Sequence, residues 1–396
     1  MPETIKQTQL FRFDEMAVQV KVKVEPEEAD VDRYVGLEHI DPESLKIRRW
    51  GEPSDVESSK ILFRSGDIIF GKRRAYQRKL AVADVDGICS AHAMVLRPKT
   101  DVVLEEFLPF FMQSDIFMDR AVKISVGGLS PTINWRDLAK EEFALPPLEE
   151  QRRIAEILDA ADTLRAKYSE AFAQLDTLLQ STFLHMFGDP DTNPKGWEQS
   201  PLGQLCGVGS SKRVFVSEFV EEGIPFYRGT EVGSLGEGEA LTPTLFITHD
   251  HYEQLKRHSG VPRPGDLLLP SICPDGRIFI VQDDKPFYFK DGRVLWIKAG
   301  ESGINSTFLL YFLKAVFVKA YSKIASGSTF AELKIFALKN LVVYVPPREE
   351  QDRFTKVFES IEGQKARMRS HLVELDALFA SLQSRAFNGE LLEARV

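Results

Sequence analysis

The string Leu145-Pro146-Pro147-Leu148-Glu149-Glu150-Gln151 returns 200 positions later as Val345-Pro346-Pro347-Arg348-Glu349-Glu350-Gln351. Each copy opens a long apolar-periodic stretch that ends at a phenylalanine, Phe187 or Phe387. The offset holds through Asp162/Glu362, Ala166/Ala366, Leu175-Asp176/Leu375-Asp376 and Leu178/Leu378, too long and gapless for shared composition to explain. The chain reads as two copies of one unit.

From Pro146 to about Phe187 the pattern predicts one helix of some 40 residues, roughly 60 Å long at about 1.5 Å rise per residue. Proline in the first turn needs no N–H there, and Glu149 and Glu150 meet the positive end of the helix dipole. Gly188-Asp189-Pro190 supplies a stop, and the second copy runs from Pro347 to Asn388-Gly389. Apolar residues recur at alternating spacings of 3 and 4: Ile154, Ile157/Leu158, Ala161, Leu164, Tyr168, Phe172, Leu175 and Leu178/Leu179 on one, Phe354, Val357/Phe358, Ile361, Met368, Leu372, Leu375 and Leu378/Phe379 on the other. Neither helix can bury such a stripe alone, so the two are expected to bury each other, antiparallel because about 150 residues intervene. Two unrelated core helices would leave the matched register, length and terminal signals unexplained.

The segments preceding the helices echo each other weakly. Tyr34-Val35-Gly36-Leu37-Glu38 is set against Tyr227-Arg228-Gly229-Thr230-Glu231, and Ser65-Gly66-Asp67-Ile68-Ile69 against Pro264-Gly265-Asp266-Leu267-Leu268. Strands are predicted at Ile68-Ile69-Phe70, Ala93 to Leu96, Ile278 to Val281 and Val294 to Ile297, and amphipathic helices at Phe107 to Val122 and Thr307 to Ile324. The expected fold class is therefore α/β (α+β), with mixed domains at 1–145 and 191–345.

A length of 396 residues implies two or more domains. No apolar run approaches the roughly 20 residues of a membrane helix, and the start Met1-Pro2-Glu3-Thr4-Ile5-Lys6 lacks a signal-peptide layout, so a cytoplasmic location is expected. Cys89, Cys206 and Cys273 are odd in number and far apart, which argues against a disulfide framework or a zinc site and for buried thiols. The net charge of −9 argues against a simple nucleic-acid binder. Acidic and basic residues on different faces escape that argument, so local pattern decides.

The densest basic cluster is Lys72-Arg73-Arg74-Ala75-Tyr76-Gln77-Arg78-Lys79, directly after a predicted strand. Arginine forks suit guanine edges and lysines suit phosphates, although a solvated loop has the same composition. The second half carries scattered basic counterparts, Lys212-Arg213, Arg228, Lys256-Arg257-His258, Arg263, Arg277 and Arg293, with Thr230 a further candidate contact. Gly127 to Thr132, with Ser130 and Thr132, and Ser326-Gly327-Ser328-Thr329 are hydroxyl-rich turns able to bring backbone N–H groups close to a phosphate. Spacing alone leaves ordinary turns equally open. His249-Asp250-His251 is expected to be an exposed turn. There is no P-loop, dinucleotide fingerprint, nucleophile elbow or HExxH pair, and neither form of the adenine-methyltransferase tetrapeptide.

Leu145 to Asp159 and its second copy from Val345 resemble the specificity subunit of type I restriction-modification systems. So do Gly66-Asp67-Ile68-Ile69-Phe70, Asp86-Gly87-Ile88-Cys89-Ser90, Val95-Leu96-Arg97-Pro98 and Phe226 to Glu231. The resemblance implies two target recognition domains, 1–145 and 191–345, separated by spacer helices at 146–190 and 346–396 that pair as an antiparallel coiled coil. It implies a non-catalytic subunit without a cofactor of its own, reading an asymmetric bipartite site in double-stranded DNA. Its partners would be two methyltransferase subunits carrying S-adenosylmethionine and motor-endonuclease subunits using ATP and Mg. The reading from another class is a coiled-coil scaffold whose α/β modules bind proteins.

Overall fold

The computed structural model describes residues 8–300, 302–326 and 331–391. Its contacts divide the chain into two compact units, Met1–Ser169 with Ser370–Val396, and Glu170–Arg369. Each boundary falls inside a long helix, so each unit holds an α/β body and part of both helices.

In the first unit a four-stranded antiparallel sheet runs Ala17–Val20, Ala93–Pro98, Ile68–Gly71, Leu80–Val82. A second sheet orders Lys23–Val24, Lys60–Phe63, Gly87–Cys89 and Tyr34–Val35, the last pair parallel. Ile68, Ile69 and Phe70 are all fully buried because the sheet is covered on both faces: Ile68 and Phe70 enter one core and Ile69 the other. The second unit repeats the plan with Gly207–Gly209, Val294–Lys298, Leu267–Pro270 and Phe279–Ile280. Ile224–Tyr227 there pairs parallel with Tyr288–Phe289 and antiparallel with Phe246–Ile247.

A short antiparallel pair leads into each long helix, Gln9–Arg12 with Glu142–Leu145 and Glu198–Pro201 with Val342–Val345. The helices span Leu148–Phe187 and Arg348–Phe387, 40 residues each. The repeated glutamine explains part of the recurring frame. Gln151 is 1% exposed, accepts from the Leu104 N–H at 3.0 Å and donates to the Pro146 and Val102 carbonyls. Gln351 likewise accepts from the Asn305 N–H at 2.8 Å and donates to the Pro346 carbonyl at 2.7 Å. Each amide ties a helix start to the chain before it and satisfies backbone groups that burial would otherwise leave unpaired.

Both units pack the two helices antiparallel. In the first, Arg165 meets Asp376 and Tyr168 meets His371. In the second, Phe172 lies by Arg369, Asp176 by Lys365 and Phe183 by Phe354, residue numbers rising on one helix as they fall on the other. Leu179, Phe183 and Phe187 share one core with Phe308, Phe354 and Ile361; Ile154, Ala155 and Leu158 share the other with Phe379 and Ala386.

Four expectations require correction. Phe107 to Val122 is two helices, Leu108–Gln113 and Asp115–Lys123, broken at Ser114, whose hydroxyl donates to the Phe111 carbonyl and accepts from the Phe117 N–H. His249-Asp250-His251 starts a helix, His249–Ser259, with Thr248 as its cap. Leu164, Leu178 and Leu378 are exposed, and the seam passes through Leu179 and Phe379 instead. The echo at Tyr34 is one residue out of step: the Ser90 N–H binds the Val35 carbonyl as the Lys290 N–H binds that of Tyr227, so Val35 matches Tyr227 and Gly36 matches Arg228.

Candidate nucleic-acid interface

The first unit folds the two expected basic and hydroxyl-rich loops against each other. The Arg74 N–H donates to the Pro131 carbonyl at 2.7 Å, the Ile133 N–H to that of Lys72 at 2.9 Å, and Arg73 bridges to Thr132. Ser130 Oγ accepts from Arg73 Nε at 3.2 Å and Arg74 Nε at 3.0 Å. One hydroxyl thereby orients two guanidinium groups, and Arg73 is held further by His92, whose Nε2 lies 3.1 Å from Arg73 Nη1. Burial lowers the pKa of Lys72.

Arg74 and Arg78 take left-handed backbone conformations, φ 56° and 52°, on either side of a single turn at Ala75–Gln77. Such conformations cost free energy in residues other than glycine and persist where the surroundings over-determine them. Tyr76 stands at the turn's tip, 55% exposed, above buried Ala75. Arg78 and Lys79 are engaged by the fold: Arg78 donates to Asp115 Oδ1 at 2.7 Å and to the Gln113 carbonyl, and Lys79 to the Leu37 carbonyl. The structure gathers Arg73, Arg74, Ser130 and Thr132 at one place, with Lys72 joined through its carbonyl to Ile133, whereas Tyr76 shares a hollow with Arg78 and Asp119, and Arg78 and Lys79 hold the loop.

The second unit builds the same location from other residues. Pro270 pairs with Val294 as Gly71 pairs with Ala93, and the Leu333 N–H binds the Ser271 carbonyl at 2.7 Å as the Ile133 N–H binds that of Lys72, so Ser271 takes the place of Lys72. The basic loop of the first unit is thus replaced by Ser271-Ile272-Cys273, which carries no charge. Basic groups come instead from neighbouring segments: Arg228, Arg277, Lys290 and Arg293 line a cavity of about 460 Å³ with Thr230 and Ser271. Arg228 is forked onto Glu231, whose carboxyl burial tends to raise but Arg228 and backbone N–H groups hold below the usual range. Arg277 sits 2.7 Å from Asp275, and that contact raises its pKa. Glu332, kept low first by Lys334, holds Ser271 at 3.0 Å and Arg293 at 3.3 Å.

Lys212, Arg213, Lys256 and Arg257 lie outside that cavity's lining. Lys212 donates its backbone N–H to the Tyr288 hydroxyl, and Arg213 pairs with Asp291 at 3.0 Å. Lys256 and Arg257 are exposed in the helix His249–Ser259, held by Glu253. Ser328 and Thr329 lie outside the described residues. His92 and Lys290 were missed in the sequence; only strand pairing brings them to these sites, and no local motif marks them.

The family model for the type I restriction modification DNA specificity domain matches residues 52–170 and 194–372, well over half the chain and once in each half. A putative type I restriction enzyme specificity subunit of Haemophilus influenzae is 27% identical over 223 residues, 55% of this chain and 55% of that protein. The EcoDI specificity subunit of Escherichia coli is 34% identical over 136 residues, 33% of this chain and 30% of its own length, so the match spans about half or less of these two relatives. The MjaVIII specificity subunit of Methanocaldococcus jannaschii is 25% identical over 324 residues, 76% of this chain and 70% of its own. The fold is shared with an S subunit from M. genitalium, TM-score 0.55 at 16% identity over 97% of both chains. It is also shared with a structure concerned with complex assembly and conformational transition of the type I R-M system, TM-score 0.56 at 23% identity over 97% of this chain and 98% of that one. Specificity subunits of these systems are non-catalytic, and the chain belongs to their family, that of the type I restriction-modification DNA specificity domain.

Proposed function

We propose that the chain reads an asymmetric, bipartite target in double-stranded DNA and brings two methyltransferase subunits and motor-endonuclease subunits to it in the cytoplasm. The observation that carries this is the pair of dissimilar basic sites at the same topological location of two like-folded units. Like folds presenting unlike side chains give two half-sites of unlike sequence. Residues 1–145 and 191–345 act as the recognition domains, 146–190 and 346–396 as the spacer. Lys72, Arg73, Arg74 and Tyr76, with Ser130, serve one half-site; Arg228, Thr230 and Arg277 position the second unit on the other, whose bases fall to neighbouring residues of that unit.

Docking of two like partners is supported by the helices themselves. Leu178 and Leu378, 200 residues apart, are 49% and 50% exposed, one in each unit, which places a repeated apolar group on the uncovered side of the seam. The methyltransferases bring S-adenosylmethionine and the motor subunits ATP and Mg; this chain supplies the address. Partners that carry positive charge reconcile DNA binding with the net charge of −9.

Mapping of modified adenines in DNA exposed to the chain with its methyltransferase partner tests the proposal. Two different half-sequences at fixed separation are expected. A palindrome, or one short continuous site, overturns it.

A further inference from the structure

We infer that the cavity of the second unit lined by Arg228, Arg277, Lys290 and Arg293 is a phosphate-binding site that grips the DNA backbone rather than reading base edges. The inference rests on the proposed DNA-binding function and assigns the chemistry of that one site.

The lining is rich in donors: four cations and the Thr230 hydroxyl, with no carboxylate or carboxamide, while the Ser271 hydroxyl is donated to Glu332. Each cation has an acid partner outside the lining, Glu231 for Arg228, Asp275 for Arg277, Asp291 for Lys290 and Glu332 for Arg293, which restrains its side chain. A ligand matched to such a wall offers acceptors and negative charge, as a phosphodiester does. Adenine and cytosine edges present an amino donor in the major groove, and nothing in this lining resembles the amide or carboxylate that reads them.

Shape points the same way. A groove floor is recessed by roughly 8 Å and is reached by protruding groups, whereas the backbone ridge stands out and enters a concavity. The first unit offers a protrusion, Tyr76 on its strained turn; the second offers a hollow of about 460 Å³, room for a phosphodiester and its flanking sugars. Where the first unit has its basic loop, the second has Ser271 and Ile272 on the cavity wall, beside cations contributed by neighbouring segments.

The test uses the full chain with its methyltransferase partner on target DNA carrying one neutral methylphosphonate at each position of the second half-site in turn. One or two adjacent positions are expected to weaken binding roughly tenfold, the size of a lost charge-assisted hydrogen bond. On that DNA, Arg293→Ala, Arg277→Ala and Lys290→Gln are expected to cost nothing further. Replacing guanines with 7-deazaguanine is expected to leave the cost of Arg293→Ala intact. Loss that follows a deazaguanine position, with relaxed preference at that base, overturns the inference, as does a half-site indifferent to every methylphosphonate. A second arm uses the chain alone. Inorganic phosphate at ionic strength matched with chloride is expected to raise its melting temperature, and Lys290→Gln, a substitution outside the core, is expected to remove the gain. Equal behaviour in phosphate and chloride counts against the site whether or not specific DNA is retained, so the two readings fail separately. Stabilisation by free phosphate without a methylphosphonate effect assigns the site to a free anion and overturns the backbone grip.

Discussion

The Arg165 guanidinium donates to the Asp376 carboxylate at 2.7 Å between the helix segments of the first unit, and a shift of 200 residues turns this pair into Lys365 and Asp176, 2.8 Å apart in the second. Each cation also meets an acid three residues earlier on its own helix, Asp162 for Arg165 and Glu362 for Lys365. An antiparallel seam of leucines and alanines tolerates sliding; a charge that must meet its opposite does not.

Removing the cross-helix contact between Lys365 and Asp176 is expected to cost stability. The acids are half exposed, so a double-mutant cycle on Lys365 and Asp176 should give a coupling energy of about 0.5–1 kcal/mol, read from urea denaturation. Burial works to lower the Lys365 pKa, but Asp176 and Glu362 together raise it. A raised folded-state pKa means the contribution is complete below the ordinary lysine range and lost as pH rises through the folded value. Asp176→Ala should therefore differ from the parent across neutral pH and converge with it in strong alkali.

Gln351→Leu should be more costly. It leaves the Asn305 N–H and Pro346 carbonyl without their partner in a site 1% exposed, for a loss of roughly 2–5 kcal/mol. Gln151→Leu should behave alike in the first unit. A loss below 0.5 kcal/mol in either, read as a shift in the denaturation midpoint, would show that the glutamine is not what holds the helix start.

Asp162 supplies a prediction of opposite sign. Burial raises its pKa, and Arg165, Lys46 and Arg48 offset this only in part. An acid with a raised folded pKa lowers stability when charged, with the penalty complete above that value and absent below the unfolded one. Asp162→Asn should be the more stable protein at pH 7, with the advantage disappearing as pH falls through the carboxylate range. Thermal melts at several pH values give the comparison.

Arg74→Ala and Ser130→Ala should impair reading of one half-site only, Arg74→Ala by about 1–3 kcal/mol for a lost bidentate contact. Arg78→Ala, whose guanidinium is engaged by Asp115 and Gln113, should lower thermal stability more than it alters base preference. Binding to targets mutated in one half at a time separates these outcomes.

The long helices were legible because an extended 3–4 periodicity with proline before it and glycine after it has few other solutions. Their start was placed one or two residues early, at Pro146 and Pro347, since proline fits the turn before the helix as well as its first residue. Ser114 was not legible: Phe107 to Val122 keeps a helical pattern through it, and only the serine's bonds to Phe111 and Phe117 show the break. At the candidate interface, composition found Arg73 and Arg74 but could not distinguish them from Arg78, whose partner Asp115 is 37 residues away. Lys290 and His92 depend wholly on strand pairing, which a single sequence does not report.

The three cysteines give the chain a built-in clock. Cys89 belongs to the first unit, Cys206 and Cys273 to the second, and burial pushes their thiols up to about 12, 11 and 12. At mildly alkaline pH an alkylating reagent finds almost no thiolate until the surrounding core opens, so the labelling rate at each cysteine becomes a measure of how often its own unit breathes. Followed with and without target DNA, those rates would time the response of each reader to its half-site separately.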